Sequence, residues 1–336
     1  MNRTKRSLSL ISALLCLALL CACGGTANAQ PDTTAPAQSI SDPAETAAPT
    51  EAASVTVTDD LGVTLSFDAV PQRVAVLTGS FTETWLLAGG TLCAAVQDAW
   101  DDFDLGLGDE VVNLGSYKRL SMELLFEAEP ELVIASANTS SHVELRDTLD
   151  KAGIPSLYFN VNGFADYLRM LSVCTAITGR SDLYAQNGAA VERQVTAVQQ
   201  AAAEALQTRE APHVLFLRVA ASNVRAKGSD GTVLGEMLCA LGCVNIADGS
   251  ALLEDLSIET IIEEDPEYIF LVQQGDDTEA MERLLAETLT DNPAWAGLTA
   301  VREGRMYFMD KHLFHFKPNA RWGEAYEQLF ALLYGA

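Results

Sequence analysis

One segment of the chain occurs twice with the same pattern. Residues 121–134 read Ser-Met-Glu-Leu-Leu-Phe-Glu-Ala-Glu-Pro-Glu-Leu-Val-Ile, and residues 257–270 read Ser-Ile-Glu-Thr-Ile-Ile-Glu-Glu-Asp-Pro-Glu-Tyr-Ile-Phe. Ser, Glu, Glu, Pro and Glu fall at identical offsets in the two copies. Each copy predicts a helix that its serine caps and its proline ends, followed by a buried strand. Two copies at matched places indicate two halves of similar structure.

A long helical segment separates the two copies. Residues 181–207 carry apolar side chains at helical spacing, Ser181 can cap the start, and the first proline beyond is Pro212. At 1.5 Å per residue the segment is roughly 40 Å long. Strands alternate with helices on both sides of it, which is typical of an α/β fold with parallel sheets. We therefore predict two Rossmann-like lobes (55–180 and 210–336), a connecting helix (181–209) and a cleft between the lobes.

The N-terminal segment has the features of a secretion signal. Basic residues precede an apolar run over residues 8–20, which is too short to span a membrane. The following Leu20-Cys21-Ala22-Cys23 resembles a bacterial lipobox, which implies removal of residues 1–22 and lipidation of Cys23. An ordinary signal peptide with incidental cysteines is the alternative. Residues 23–54 lack large apolar side chains and predict a disordered tether.

Charge and cysteine usage exclude some classes of function. Without the three basic residues of the signal, 18 Lys+Arg stand against 46 Asp+Glu, a net charge of -28. A strongly acidic chain argues against nucleic-acid binding. No CxxC pair occurs, and a disulfide between Cys239 and Cys243 would distort the helix predicted there. We expect buried free thiols at these two positions and at Cys93 and Cys174.

Several segments together resemble the substrate-binding lipoproteins of ABC importers for iron–siderophore complexes, haem and cobalamin. They are Asp59-Asp-Leu-Gly-Val-Thr-Leu, Pro71-Gln-Arg-Val-Ala-Val-Leu, the two repeat copies, Leu234-Gly-Glu-Met-Leu-Cys-Ala-Leu-Gly-Cys-Val-Asn and Gly304-Arg-Met-Tyr-Phe. The resemblance covers the chain from Val55 onwards and is more specific for the family than for the ligand. It implies two α/β lobes joined by one long helix, little hinge motion and a shallow cleft. It also implies a monomer that is anchored on the extracytoplasmic face of the membrane and docks on a permease dimer with a cytoplasmic ATPase.

The resemblance also implies a role for one glutamate in each repeat copy. In this family a surface Glu of each lobe pairs with arginines of the permease, and the matching positions are Glu123 and Glu259. Each lies in the first turn of a predicted helix, where the helix dipole stabilises a carboxylate. Helix capping alone is the competing interpretation.

Candidate ligand-binding residues follow the predicted strands, because ligands of open α/β sheets bind at the carboxyl ends of the strands. Basic residues gather there together with aromatic ones, which suits a bulky anionic chelate. Trp322 is expected in the core instead. The candidates are Phe81, Trp100, Tyr117, Lys118, Thr139, Arg218, Arg225, Lys227, His312, His315 and Arg321.

Other functions remain open at this point. His312 and His315 could ligate a metal or a haem iron, but no carboxylate or cysteine flanks them, so we predict no bare metal site and no resident cofactor. An oxyanion such as molybdate is a possible alternative solute. No GxSxG, HExxH, phosphate-loop or GxGxxG pattern supports an enzyme. An adhesin or regulator on the same fold is a third class.

Overall fold

A computed structural model describes residues 54–249 and 257–335. The predicted signal peptide, Cys23 and nearly all of the predicted tether lie outside the described residues. Residues 51–336 form one compact unit. Within the described ranges, no helix combines the length and the apolar character needed to cross a membrane.

The N-terminal lobe is built on a parallel sheet. A hairpin of β1 (Val55–Thr58) and β2 (Thr64–Phe67) precedes it. The sheet has the order β5-β4-β3-β8-β9, and every pair in it is parallel. A two-stranded antiparallel ribbon, β6 and β7, leaves its edge. The strands are β3 (Val74–Val76), β4 (Ala94–Ala95), β5 (Val112–Asn113), β6 (Gly115–Ser116), β7 (Arg119–Leu120), β8 (Leu132–Ser136) and β9 (Ser156–Phe159).

Helices cover both faces of this sheet. Alternate residues of β3 and β8 point to opposite sides, so Val74 and Ile134 enter one apolar cluster while Ala75 and Val133 enter another. All of these side chains are fully buried, as expected for a parallel sheet. The helices are α1 (Gly79–Leu87), α2 (Asp98–Asp101), α3 (Met122–Glu127), α4 (Ser140–Val143), α5 (Arg146–Lys151) and α6 (Phe164–Thr178).

The C-terminal lobe repeats the plan with one difference at the sheet edge. Its strands β10, β13 and β14 are parallel and β12 pairs with β10 in parallel, whereas β11 is antiparallel to β10. The strands are β10 (His213–Ala220), β11 (Asn223–Ala226), β12 (Val244–Asn245), β13 (Tyr268–Gln274) and β14 (Met306–Met309). The helices are α9 (Val233–Ala240), α10 (Ile258–Glu264), α11 (Thr278–Leu285), α12 (Thr299–Arg302), α13 (Lys311–Phe314) and α14 (Trp322–Tyr334).

The connecting helix is present and contains a wider turn. Helix α7 (Ser181–Tyr184) continues through a π turn (Ala185–Ala189) into α8 (Ala190–Ala205). Val191, Val195 and Ala202 are buried in the same apolar cluster as residues of both lobes. The helix therefore packs on both lobes, and it ends at Ala205 rather than at residue 209.

The two repeat copies agree in their hydrogen bonds as well as in their sequence. Ser121 and Ser257 each cap their helix by accepting a bond from the backbone N–H three residues later, both at 3.3 Å. At the other end, the N–H of Glu131 donates to the carbonyl of Arg73 (2.7 Å), and that of Glu267 donates to His213 (2.9 Å). These matched contacts support the duplication predicted from the sequence.

The end of each repeat helix uses the same unusual backbone conformation. Glu129 and Asp265 hold positive φ angles of 45° and 38°, immediately before Pro130 and Pro266. A left-handed residue ends a helix by turning the chain away from the helical path. Non-glycine residues rarely adopt it, so its occurrence at both matched positions is further evidence of one repeated unit.

Some sequence predictions need correction. The connecting helix was predicted to reach residue 209, but it ends at Ala205. The C-terminal sheet was predicted to be parallel but is mixed, since residues 223–226 return as the antiparallel strand β11. All four described cysteines are free, as predicted, but Cys239 is exposed and Cys243 is half-buried, whereas both were expected to be buried. Trp322 is fully buried, which confirms its core position.

Candidate functional site

A cavity of about 420 Å³ lies between the two lobes. Its walls come from the carboxyl ends of strands, and from the segments that follow them, in β3, β4, β8 and β9 of one lobe and β10, β13 and β14 of the other, as the strand-end rule predicts. The lining residues are Thr78, Ser80, Phe81, Asp98, Asp102, Phe103, Tyr117, Ser136, Asn138, Thr139, Val161, Asn162, Arg218, Gly231, Thr232, Val233, Gln274, His315, Phe316 and Lys317.

The C-terminal wall carries positive charge without a neutralising partner. Arg218 projects from β10, and its Nε is buried with no hydrogen-bond partner in the described part of the chain. Burial lowers the pKa of the Arg218 guanidinium. The pKa of Lys317 is lowered by burial and then by the charge of Arg218. Neither side chain has an ion pair with a described carboxylate, so a bound anion would stabilise both.

A third basic side chain opposes Arg218 across the strand pair. Arg225 of β11 lies directly opposite Arg218 in the antiparallel register. Two like charges in such a pair repel each other and destabilise the sheet. Arg225 lines a second cavity of about 590 Å³ together with Lys227, and this cavity shares Arg218, Gly231 and Thr232 with the first. The positive wall thus extends beyond the cleft along the edge of the sheet.

His315 lies in the same wall and is neutral near pH 7. Burial, followed by the charges of Arg218, Lys317 and Lys311, lowers the pKa of His315 to about 4. Its ring is 5.3 Å from the ring of Phe316. A neutral imidazole in this position can donate one hydrogen bond and accept another, and it can gain a proton if a bound anion offsets the surrounding positive charge.

The N-terminal wall is aromatic and polar. Phe81, Phe103 and Tyr117 supply its apolar surface, and the ring of Phe103 lies 5.4 Å from that of Phe316 across the cleft. Phe103 also packs against the start of α1, where a Cβ on Gly79 would come within 2.6 Å of it. Glycine at residue 79 therefore allows the Phe103 ring to pack this closely against the start of α1.

Asp98 gives the N-terminal wall an unusual buried carboxyl group. Its Oδ2 accepts a hydrogen bond from the N–H of Gly79 (3.0 Å), while its Oδ1 is buried without a partner among the described residues. Burial raises the pKa of Asp98, and the neighbouring carboxylate of Asp102 adds to the effect. The two walls thus differ in sign, with carboxyl groups on one and basic groups on the other.

A buried histidine positions Tyr117. His142 is fully buried, its Nε2 lies 2.8 Å from the carbonyl oxygen of Tyr117, and its Nδ1 accepts from the N–H of Ser136 (3.3 Å). The two contacts together require the tautomer with hydrogen on Nε2. Burial lowers the pKa of His142, which keeps this arrangement neutral. The ribbon β6–β7 that carries Tyr117 is in this way tied to the carboxyl end of β8.

Polar contacts hold the two lobes together beside the cavity. Asn319 is buried at 1% exposure, and its Nδ2 donates to the carbonyl of Ser80 (2.9 Å) and to Oε2 of Glu83 (2.6 Å). Its Oδ1 lies 3.1 Å from the hydroxyl of Thr84. Asn319 has a φ of 52°, which asparagine tolerates better than most residues.

An ion pair adds a second contact between the lobes. Lys311 of α13 contacts Asp102 of the N-terminal lobe (3.3 Å) and Asp276 of its own lobe (2.5 Å). Both acids surround one ammonium group, and hydrogen bonding to them raises the pKa of Lys311 against the opposing effect of burial. The Lys311–Asp102 ion pair lies beside the Phe103–Phe316 ring pair. These two contacts connect the lobes at one side of the cleft.

The structure brings together part of the predicted ligand-binding set. Five predicted residues line the interlobe cavity: Phe81, Tyr117, Thr139, Arg218 and His315. Two more, Arg225 and Lys227, line the adjoining cavity. Four predicted residues line neither cavity: Trp100, Lys118, His312 and Arg321.

Local contacts explain where two of these four lie. Arg321 forms an ion pair with Glu324 one helical turn later (2.7 Å), which turns its guanidinium along α14. Lys118 is exposed at the tip of the β6–β7 ribbon, where its Nζ lies 5.4 Å from the ring centre of Tyr117. Their assignment to ligand binding stays a prediction.

Sequence reasoning did not include five lining residues that end or follow a strand of one of the two sheets: Asp98, Asp102, Val161, Asn162 and Gln274. Treating every strand end alike, instead of selecting basic and aromatic residues, could have found them. No group of three or more His, Cys, Asp or Glu side chains suited to a metal ion occurs within 54–249 and 257–335.

The two glutamates predicted to dock on a permease are exposed. Glu123 lies in the first turn of α3 and Glu259 in the first turn of α10. Neither forms an ion pair with a described basic residue, although the hydroxyl of Ser257 donates to Glu259 at 3.1 Å. Both carboxylates are free to meet a basic partner, and their role stays a prediction.

Comparisons with known proteins agree with the geometry. Residues 74–313 match the sequence pattern of the family described as periplasmic binding protein. No curated protein sequence matches the chain.

Solved structures share the fold at low sequence identity. A periplasmic haem-binding protein of Roseiflexus sp. RS-1 matches with a TM-score of 0.63 and 21% identity, over 79% of this chain and 98% of its own. A periplasmic catecholate-siderophore binding protein of Vibrio cholerae matches with a TM-score of 0.64 and 16% identity, over 84% and 100%. Staphylococcus aureus SirA complexed with staphyloferrin B matches with a TM-score of 0.64 and 18% identity, over 83% and 97%. At such identities the likeness demonstrates the fold alone.

Proposed function

The chain belongs to the periplasmic binding protein family, and we propose that it captures a bulky anionic metal chelate, a ferric siderophore or haem, for an ABC importer. In this proposal it is a lipid-anchored protein of the extracytoplasmic face. It hands the chelate to a permease dimer that a cytoplasmic ATPase drives. It acts by binding and carries out no reaction.

The unneutralised positive wall of the cleft carries the proposal. Arg218 and Lys317 are buried enough to lower their pKa values, yet no described carboxylate pairs with them. Both residues are half-buried. Removing cations from water without partners destabilises the empty protein, and an anionic ligand would counter that effect. Carboxylate or phenolate oxygens of a chelate fit a guanidinium and an ammonium group.

The opposite wall supports a ligand with planar or aromatic groups. Phe81, Phe103 and Tyr117 present ring surface to the cavity. Aromatic walls combined with a few fixed polar groups are typical of sites for small organic molecules. Relatives with the same fold are described as binding haem or a catecholate siderophore, or are complexed with staphyloferrin B. We therefore favour ligands of these classes for this chain.

A ligand panel tests the proposal directly. Purified protein is mixed with ferric carboxylate and catecholate siderophores, haem, cobalamin and molybdate, and its thermal unfolding is followed. We expect an anionic iron chelate to raise the melting temperature in a concentration-dependent way, because a ligand that binds only the folded state stabilises it by mass action. Cobalamin is the third ligand class that the family resemblance implies, and molybdate represents the alternative solute named above. Stabilisation by molybdate alone, or by no member of the panel, would contradict the chelate proposal.

The proposed permease contact is tested separately from ligand binding. Charge reversal of Glu123 and Glu259 to arginine is expected to abolish uptake and to leave chelate affinity within about twofold, because both side chains are exposed and neither lines the cavity. Reduced chelate affinity in the variant would instead assign the two glutamates to the ligand site.

The proposed lipid anchor rests on the resemblance around Cys23. Replacing Cys23 by serine is expected to move the protein from the membrane fraction to the soluble fraction, because the acyl chains supply the membrane affinity. Full membrane retention of the variant would contradict the anchor.

A further inference from the structure

The two repeat helices expose the same three kinds of side chain. Glu123, Phe126 and Glu127 of α3 form what we call the N-lobe triad; Glu259, Ile262 and Glu263 of α10 form the C-lobe triad. All six residues are exposed. Both triads consist of two glutamates and one large apolar residue at identical offsets.

The spacing places each triad on one helix face. In each triad the apolar residue and the second glutamate follow the first glutamate by three and by four positions, so the first glutamate is a neighbour of both on the helix surface. Each lobe therefore presents an apolar side chain next to two carboxylates.

Two exposed apolar residues occupy matching positions in the two lobes. Within the described residues, seven large apolar side chains are classed as exposed, and Phe126 (39%) and Ile262 (38%) are two of them. A single exposed apolar residue needs no explanation. Two at matching positions of a structural duplication, each beside the same pair of acids, form a repeated surface feature.

Stability does not account for the triads. Two glutamates four positions apart on a helix repel each other and weaken it. No ion pair with a described Lys or Arg offsets this repulsion at Glu123, Glu127, Glu259 or Glu263. An arrangement that costs stability and exposes apolar surface is expected where a partner binds.

Both triads lie toward the side of the molecule that contains the cleft. The segments that follow the two helices bond to residues at the amino ends of β3 and β10, through Glu131 to Arg73 and through Glu267 to His213. The opposite end of α3 is bonded to the carboxyl end of β5, where the N–H of Ser121 donates to Leu114 (2.8 Å). The first turn of α3 therefore lies at the carboxyl edge of its sheet, and the duplicated contacts give α10 the same orientation.

We infer that Phe126 and Ile262 are apolar anchors of the docking surface for the permease. Each inserts into an apolar recess on one of two equivalent permease subunits, and the neighbouring glutamates pair with basic residues at the rim of that recess. Two copies of one acidic and apolar surface fit a partner that presents two copies of a basic and apolar one. This inference rests on the proposed function, because the partner is the permease named there.

Site-specific photo-crosslinking in the native cell tests the inference. The photoreactive residue p-benzoyl-phenylalanine replaces Phe126, Ile262 or, as a control, Phe308, which is more exposed (55%) but lies on β14 outside both triads. We expect residues 126 and 262 to crosslink to the same polytopic membrane polypeptide, identified by mass spectrometry, and residue 308 to give at least tenfold less of that product. Crosslinks only between copies of this chain, or none to a membrane protein, would overturn the inference.

Uptake measurements separate this inference from the proposed function. The double variant Phe126→Ser/Ile262→Ser is expected to reduce chelate uptake at least tenfold and to keep chelate affinity within twofold, whereas Phe308→Ser leaves both unchanged. If the double variant transports normally while charge reversal of Glu123 and Glu259 abolishes uptake, the apolar anchors are wrong and the permease proposal stands. If charge reversal also has no effect, the permease docking proposal fails too.

Discussion

The two lobes share their repeated helix and strand but differ in the walls that they contribute to the cleft. Both contain a serine-capped helix, a left-handed turn before proline and a buried central strand. The N-terminal wall is aromatic and carries Asp98 and Asp102, whereas the C-terminal wall carries Arg218, His315 and Lys317. The repeated helix, turn and strand give the two lobes the same core structure and a similar outer surface. The loops at the strand ends are free to differ, which an asymmetric ligand requires.

The largest expected effect tests the charge difference between the walls. The double substitution Arg218→Glu/Lys317→Glu is expected to weaken binding of the anionic chelate by about 1,000-fold or more, since each charged contact contributes about 1.5–3 kcal/mol. Isothermal titration calorimetry measures the affinity. Phe103→Ala on the opposite wall is the control and is expected to lose about tenfold, through lost ring contact alone. Equal losses in both variants would remove the distinction between a charged and an aromatic wall.

The next effect concerns how firmly the two lobes are joined. Asn319→Ala is expected to lower the free energy of unfolding by about 3 kcal/mol, because buried partners on α1 lose their hydrogen bonds and alanine is strained at positive φ. Urea denaturation measures the change. Asn319→Gly removes the same bonds without the backbone strain, so it should be less destabilising by about 1 kcal/mol. A loss below about 0.5 kcal/mol in both variants would show that the lobes are held by other contacts.

The smallest effect is a pH dependence that belongs to the C-terminal wall. The pKa of His315 in the empty protein is about 4, so the residue is neutral at pH 7. A bound anion favours the protonated ring, and binding then takes up a proton between pH 4 and the higher pKa of the complex. Affinity should therefore increase, by roughly threefold, as the pH falls from 7.5 to 5.5. His315→Gln should abolish that part of the dependence; an identical pH profile in wild type and variant would exclude His315 as its origin.

The low pKa of His315 makes acidification lower the stability of the empty protein, whereas it strengthens binding of the ligand. A histidine whose pKa is lower in the folded state binds more protons when unfolded, so acidification between about pH 6.5 and 4 reduces stability. Two results together would support His315 as the origin of both effects. The ligand should stabilise the protein more at pH 5.5 than at pH 7.5, and the empty protein should be less stable at pH 5.5.

Much of the fold could be predicted because it follows from local patterns. Ser121 and Ser257 cap the helices that the repeat predicts, and strands alternate with helices on both sides of the connecting helix, as the sequence indicates. Strand β11 pairs with β10 in a tight hairpin in which Asn223 lies opposite Ala220. It was missed because its residues were treated as ligand contacts that follow a strand, although their burial alternates as in a half-buried strand. The π turn was also missed, because the residues that it buries, Asn187 and Gly188, are not the large apolar side chains whose spacing would reveal it.

The site was predictable in its location but only partly in its residues. Arg218 and His315 were found because they are chemically distinctive and follow strands. Arg321 was also distinctive, yet Glu324 on the same helix pairs with it. The interlobe contact of Asn319 depends on a backbone angle and on residues more than 230 positions away, neither of which a local pattern contains.

The π turn in the connecting helix predicts how the chain tolerates changes in its length. A π turn holds one residue more than an α turn, so deletion of the exposed Gln186 should yield a regular turn and leave the orientation of α8 unchanged. Deletion of the exposed Arg193 would instead rotate every later residue of α8 by about 100°, which moves Val195 and Ala202 out of the core. The connecting helix thus contains a place where one residue can be lost without misaligning the lobes.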